Sequence, residues 1–152
     1  MLYSEFLRKN HSPKNSDSCP FCKLTANRIF KSNRYAYVTY ALAPYHKHHL
    51  LVIPKRHVES LLKLTATEEK AIMSLLDYAT RLVHANGYED CSILVRDGNH
   101  INRSIRHLHY HIIPDVRIGD LDHRGKKRRI MTPQEIRDVS KDIEKAEKKI
   151  IR

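Results

Sequence analysis

Residues 107–111 read His-Leu-His-Tyr-His and run on into Ile112, Ile113 and Pro114. A β-strand sends alternate side chains to opposite faces, so this spacing predicts His107, His109 and His111 on one face, repeating about every 7 Å. Leu108, Tyr110 and Ile112 then share the other face, which suits a core. Packing alone does not ask for three imidazoles in a row. Imidazole titrates near neutrality, binds metals through a ring nitrogen and, when neutral, offers a lone pair to an electrophile. The chemistry this row allows is metal binding, proton transfer or nucleophilic attack.

A second chemically capable pair lies near the start. Cys19 and Cys22 are spaced Cys-x-x-Cys. The chain has three cysteines, an odd number that argues against a complete disulfide framework. In a reducing compartment this spacing points to metal or redox use. Cys91 opens an apolar run and reads as a buried thiol. His46, His48 and His49 cluster in one loop, where some are read as plain surface residues.

These groups need elements to hold them. Residues 35–42 (YAYVTYAL) are aromatic and β-branched, a strand pattern, and 49–54 (HLLVIP) form a second short apolar run ended by Pro54. Thr65 and Glu68 fit a capping box. Ile72, Leu75, Leu76, Ala79, Leu82 and Val83 then keep helical spacing until Gly87. Residues 91–97 (CSILVRD) predict a third strand, broken by Gly98 and Asn99 before the histidine strand. A second helix starts at Thr132, Pro133 and Glu135, with a narrow stripe of Ile136, Val139, Ile143, Ala146 and Ile150. Strands with two separated helices predict an α+β fold on an antiparallel sheet of about five strands, with one central and one C-terminal helix.

The 152 residues suit one domain. We divide them into a flexible leader at 1–18, a domain at 19–116, and a basic loop with the C-terminal helix at 117–152. No apolar run approaches a membrane span, and the polar N-terminal segment lacks the pattern of a secretory signal, so a cytoplasmic location is expected. Twenty-eight basic residues against 17 acidic ones favour anionic partners such as nucleotides, polyphosphates or nucleic acid. The cluster Lys126, Lys127, Arg128 and Arg129 could grip a strand beyond the site, although such runs are more often solvated loops.

Three ordered segments resemble the histidine triad (HIT) family of nucleotide hydrolases and transferases, in particular its zinc-containing, bacterial-type branch. HLHYHII at 107–113 is similar to the family's His-φ-His-φ-His-φ-φ signature, where φ is apolar. HLLVIPKRHV, beginning at His49, resembles its His-x-Leu-Val-Ile-Pro-Lys-x-His-φ segment. CPFCKL at 19–24 resembles the Cys-x-x-Cys opening of zinc-bearing members.

The resemblance implies that His109 is the nucleophile, attacking phosphorus to give a nucleotidyl-histidine that water then hydrolyses. A backbone carbonyl holding its Nδ1–H would aim the Nε2 lone pair at substrate. His111 would contact the phosphate, and His49 would support the nucleophile. Cys19, Cys22, His57 and His107 would bind a structural zinc, with no catalytic metal required. Ser104 matches a phosphate-contacting hydroxyl. Arg103 stands where Gln is usual and Arg96 where some members place Asn, so a more anionic substrate is expected. Ala41 replaces the Asp that holds ribose in many members, which weakens any preference for adenosine. The narrow C-terminal stripe is expected to dock on the body or on a partner helix; small members are often homodimers, and the stripe could serve that interface.

The function expected is a nucleotidyl hydrolase or transferase, cleaving a nucleoside monophosphate from a phosphoanhydride or phosphoramidate. Two alternatives stay open: a hydrolase removing nucleotidyl adducts from DNA or RNA ends, and a non-catalytic nucleotide-binding protein.

Overall fold

A computed structural model describes residues 1–2, 5, 19–98, 105–116 and 129–150. The elements run β1 (Ile29–Ser32), β2 (Ala36–Tyr40), β3 (Leu50–Pro54), α1 (Ala66–Ala85), β4 (Cys91–Val95), β5 (Tyr110–Pro114) and α2 (Pro133–Ile150). The five strands form one sheet in the order β1-β2-β3-β5-β4, with every neighbouring pair antiparallel. This is the predicted α+β architecture.

β2 and β3 are buried along their whole length, which is why their sequences are apolar and aromatic runs rather than alternations, broken only by Thr39, whose hydroxyl donates to the Arg28 carbonyl. One face of the sheet meets the helices. Val38, Tyr40, Leu50, Val52 and Ile112 pack against Ile72, Leu75, Leu76, Ala79, Leu82 and Val83 of α1. Each such aliphatic side chain removed from water contributes about 1.5–3 kcal/mol before entropy is charged against it. The other face carries Tyr37, Ala41, Leu51 and Ile53 under a cap of Cys19, Phe21 and Ile105. Leu51 pairs directly with His111, so this second face is the one that presents the histidines.

Local signals set the helix ends. The Thr65 side chain accepts from the Glu68 N–H, and the Glu68 carboxylate accepts from the Thr65 N–H, closing the predicted capping box of α1. Gly87 then takes φ +94°, where a side chain would be strained, and the helix stops. At α2, Thr132 and Glu135 make the same reciprocal pair.

Two expectations need correction. β1 was not foreseen, because Ile29–Ser32 is only four residues long and half-buried. The histidine strand begins only at Tyr110: residues 105–109 bend away, and the Leu108 N–H donates to the Val58 carbonyl instead of joining the ladder. The histidine row therefore does not lie flat along one strand. Of the two surfaces open to the stripe of α2, the body of the molecule takes it: Val139, Ile143 and Ala146 are buried in the core shared with α1. Lys126, Lys127 and Arg128 lie outside the described residues, and Arg129 pairs with Glu135.

Candidate active site

The bend before β5 divides the three histidines between two tasks. His107 is fully buried and turns toward the two cysteines. His109 and His111 sit together, ring centroids 4.8 Å apart.

His109 is 8% exposed, and its Nδ1 lies 2.7 Å from the His107 carbonyl oxygen. A carbonyl only accepts, so Nδ1 carries the proton and Nε2 carries the lone pair of the neutral ring. The edge of Phe21 packs against this ring, centroids 5.2 Å apart, and restricts its rotation. Phe21 is itself anchored, because its carbonyl accepts from the Tyr37 O–H at 2.7 Å. Burial, then the nearby Cys19 and Cys22, raises the Tyr37 phenol well above its ordinary value, so the donor keeps its proton.

A chain of donors fixes the next two rings. The Tyr45 backbone N–H donates to Nδ1 of His49 at 3.2 Å. The proton of His49 is therefore on Nε2, which lies 2.9 Å from Nδ1 of His111. His111 accepts there, so its own proton is on Nε2. The result is one imidazole offering a lone pair and its neighbour offering an N–H donor. His49 is 1% exposed. No surface role remains for it.

The four predicted ligands converge. Ligand atoms of Cys19, Cys22, His57 and His107 all lie within 4.8 Å of one another. Cys19 Sγ is 3.4 Å from His107 Nδ1, and Cys22 Sγ is 3.3 Å from His57 Nδ1. A tetrahedron with ordinary zinc–sulfur and zinc–nitrogen bonds has sulfur–nitrogen edges of about 3.5 Å. The Nε2–H of His107 donates to the Pro54 carbonyl at 2.8 Å, which leaves the Nδ1 lone pair for the cluster. The Nε2 of His57 is buried without a hydrogen-bond partner, 3.9 Å from the Glu59 carboxylate. Both rings thus present Nδ1 to the two sulfurs. Burial, then the neighbouring Cys19, pushes the Cys22 thiol up to about 12. A cation among the four would favour the Cys22 thiolate. The donor set fits a divalent metal.

Leu94 of β4 pairs with His111, and Arg96 follows two residues later, exposed, at the end of β4 nearest the histidine segment. Arg103 and Ser104 lie outside the described residues. Ala41 is buried beside Phe21 and Tyr37, and its N–H donates to the His49 carbonyl. Cys91 is half-buried at the start of β4.

Residues 23–117 match the family described as "HIT domain". The chain belongs to the HIT family. Among its relatives is the adenosine 5'-monophosphoramidase hnt1 of Schizosaccharomyces pombe, 29% identical over 101 residues, 64% of this chain and 74% of that protein. A bis(5'-adenosyl)-triphosphatase of Saccharomyces cerevisiae is 29% identical over 100 residues, 64% of this chain and 48% of that protein. The chain thus spans about half of the triphosphatase's length. The crystal structure of a hypothetical histidine triad nucleotide-binding protein from Sulfolobus tokodaii aligns with TM-score 0.71 and 22% identity, over 88% of this chain and 95% of that one. It shares the HIT fold.

Sequence reasoning missed part of the HIT site. Phe21 lies between the two cysteines, and nothing in its type or spacing marks it as a wall of the site. His48 is not a surface residue: it is 6% exposed, and His46 is half-buried. Two polar partners distant in sequence keep His48 inside, and a local reading does not see them.

Proposed function

We propose that this HIT protein cleaves a nucleoside monophosphate from a phosphoramidate or phosphoanhydride through a nucleotidyl-histidine at His109. The observation that carries the reading is the 2.7 Å contact between His109 Nδ1 and the His107 carbonyl. It leaves Nε2 unprotonated without any prior proton transfer. Nε2 forms a bond to phosphorus as the bond to the leaving group breaks, and the departing amine or phosphate takes the proton it needs from solvent. The ring becomes cationic, its Nδ1–H stays on the carbonyl, and the carbonyl dipole offsets the new charge. Water then attacks phosphorus and releases a proton to solvent, the P–N bond breaks, and its electron pair returns to Nε2. His111 Nε2–H donates to a phosphoryl oxygen in both steps. Arg96, Arg103 and Ser104 are assigned to the phosphate.

The metal in this reading is zinc, held by Cys19, Cys22, His57 and His107, as in the family's zinc-containing branch. It supplies structure when bound, tying the segment before β1 and the turn after β3 to the histidine segment. Substrate does not touch it. A reducing, cytoplasmic setting suits three cysteines without a disulfide. The named relatives, a phosphoramidase and a dinucleoside triphosphatase, support nucleotides and dinucleotides as the substrate class. A homodimer is proposed from the family alone.

The test is turnover of adenosine 5'-phosphoramidate and of a dinucleoside triphosphate, with His109→Ala as the blank. Rapid acid or base quench and mass spectrometry should find one nucleotidyl group on a His109 peptide. Unchanged turnover in His109→Ala would sink the mechanism.

A further inference from the structure

The C-terminal helix α2 reaches across the molecule to the loop between β2 and β3, although it lies outside residues 23–117 that match the family. That loop carries His49. Two groups of contacts tie them. The Met131 N–H, just before α2, donates to the Leu42 carbonyl at 3.0 Å. Asp142 of α2 receives His48 Nε2 at 2.8 Å and Lys47 Nζ at 2.6 Å. On the other side of the ring, Nδ1 of His48 is 2.6 Å from the Tyr88 hydroxyl.

The protons in this set can be placed. A carboxylate accepts, so the His48 proton is on Nε2, and the Tyr88 O–H donates to Nδ1. Burial lowers the His48 pKa below its ordinary value. The contact with Asp142 is thus a hydrogen bond from a neutral ring. His48 is held on both nitrogens, and the loop around it is further closed by the His48 N–H on His46 Nδ1 and the His49 N–H on the His46 carbonyl. The same turn brings the Tyr45 N–H onto His49.

We propose that Asp142 and Tyr88 are positioning residues for the histidine site: by clamping the His48 ring they fix the 45–49 turn, hold the Tyr45 N–H on His49, and so determine which nitrogen of His111 bears the proton. The assignment rests on the reading of the site as catalytic, but the clamp has consequences apart from turnover. Without it the turn opens, Tyr45 leaves Nδ1 of His49, and both tautomers of His49 become accessible. His111 then ceases to present a fixed Nε2–H.

The decisive experiment records imidazole nitrogen shifts of ¹⁵N-histidine-labelled protein by long-range ¹H–¹⁵N correlation, together with turnover of adenosine 5'-phosphoramidate. Wild type should show His49 and His111 both as Nε2–H tautomers. Asp142→Ala should give averaged tautomer shifts for both rings and about a tenfold loss in kcat with KM little changed. Asp142→Asn retains an acceptor for His48 and should restore both readouts to near wild type. Lys47→Ala removes an exposed ion pair of little weight and should leave both unmoved. Should Asp142→Ala fail to fold, Tyr88→Phe removes only the hydroxyl donor and should shift the same two rings. Unchanged His49 and His111 tautomers in both Asp142→Ala and Tyr88→Phe would overturn the clamp, whatever the turnover. Shifted tautomers in a protein that turns over no nucleotide would support the clamp and overturn the catalytic reading instead.

Discussion

The Nε2 of His49 and the Nδ1 of His111 lie 2.9 Å apart, with Tyr45 bonded to the far side of His49. Two imidazoles at that separation share one proton, and the backbone donor decides which ring carries it. In the proposed mechanism His49 thereby acts on the phosphate only through His111. Replacing His49 with Ala removes the donor to His111 without touching His109. We expect kcat to fall about 100-fold, the low end for loss of a correctly protonated catalytic group. The nucleotidyl adduct on His109 should still form, only more slowly. A His49→Ala enzyme with wild-type kcat would show that His111 needs no partner.

Metal removal should act on stability before it acts on chemistry, because none of the four ligand side chains is assigned to the phosphate in the proposed mechanism. Cys19 and Cys22 join the segment before β1 to the histidine segment through His107, and His57 adds the turn after β3. A ligand held at about 1,000 times its Kd stabilises by about 4 kcal/mol, which is about 10 °C for a chain of this size. We expect EDTA or phenanthroline to lower Tm by that much and to expose two further thiols to a thiol reagent. Cys22→Ser should bind less than one zinc per chain by elemental analysis. A chelator-insensitive Tm would argue that the cluster is not loaded.

Several elements were legible because their causes are local. Capping boxes at Thr65 and Thr132, the helical spacing of α1, and the apolar runs of β2 and β3 each depend on residues a few positions apart. The ligand set was legible from spacing and family resemblance together, and the four ligand atoms do converge. What escaped depends on distant partners. His48 is buried by Asp142, 94 positions away, and by Tyr88, 40 positions away. The histidine segment bends because Leu108 bonds to Val58, a partner on another element. Strand periodicity in the sequence cannot register that exchange of one hydrogen-bond partner for another.

Acid should destabilise the fold in two stages. Burial, then the neighbouring His48, lowers His46 from its ordinary 6.5, and burial likewise lowers His48. The unfolded chain therefore takes up these protons first, and the stability that both rings contribute is complete above pH 6.5 and is lost as pH falls below it. Glu68 is held down at about 2 by hydrogen bonds from Arg56 and from the Thr65 backbone, so its contribution is lost lower, as pH falls from 4.5 toward 2. Thermal melts from pH 7.5 to 3 should show Tm declining from about pH 6.5. A His46→Gln, His48→Gln double variant should flatten the slope between pH 6.5 and 5. A slope in that range identical to wild type would remove these two rings from the account.

The sugar should be read weakly. By resemblance to the family, Ala41 stands where many members are expected to hold ribose hydroxyls with a carboxylate, and it is 5% exposed beside Phe21 and Tyr37. A methyl group makes no hydrogen bond to a 2'- or 3'-hydroxyl. A site that does bond a hydroxyl rejects the deoxy analogue strongly, because its own polar group is left unpaired; an apolar site has nothing to leave unpaired. We therefore expect kcat/KM for 2'-deoxyadenosine 5'-phosphoramidate to lie within about fivefold of the ribose substrate, where a single lost hydrogen bond to a charged group would cost about 1.5–3 kcal/mol, or some 10- to 150-fold. Installing Ala41→Asp should widen the ratio toward ribose while lowering Tm, since the new carboxylate enters an apolar cluster. A wild-type preference for ribose above 100-fold would mean that another side chain grips the hydroxyls and that the exchange at position 41 is compensated elsewhere in the site.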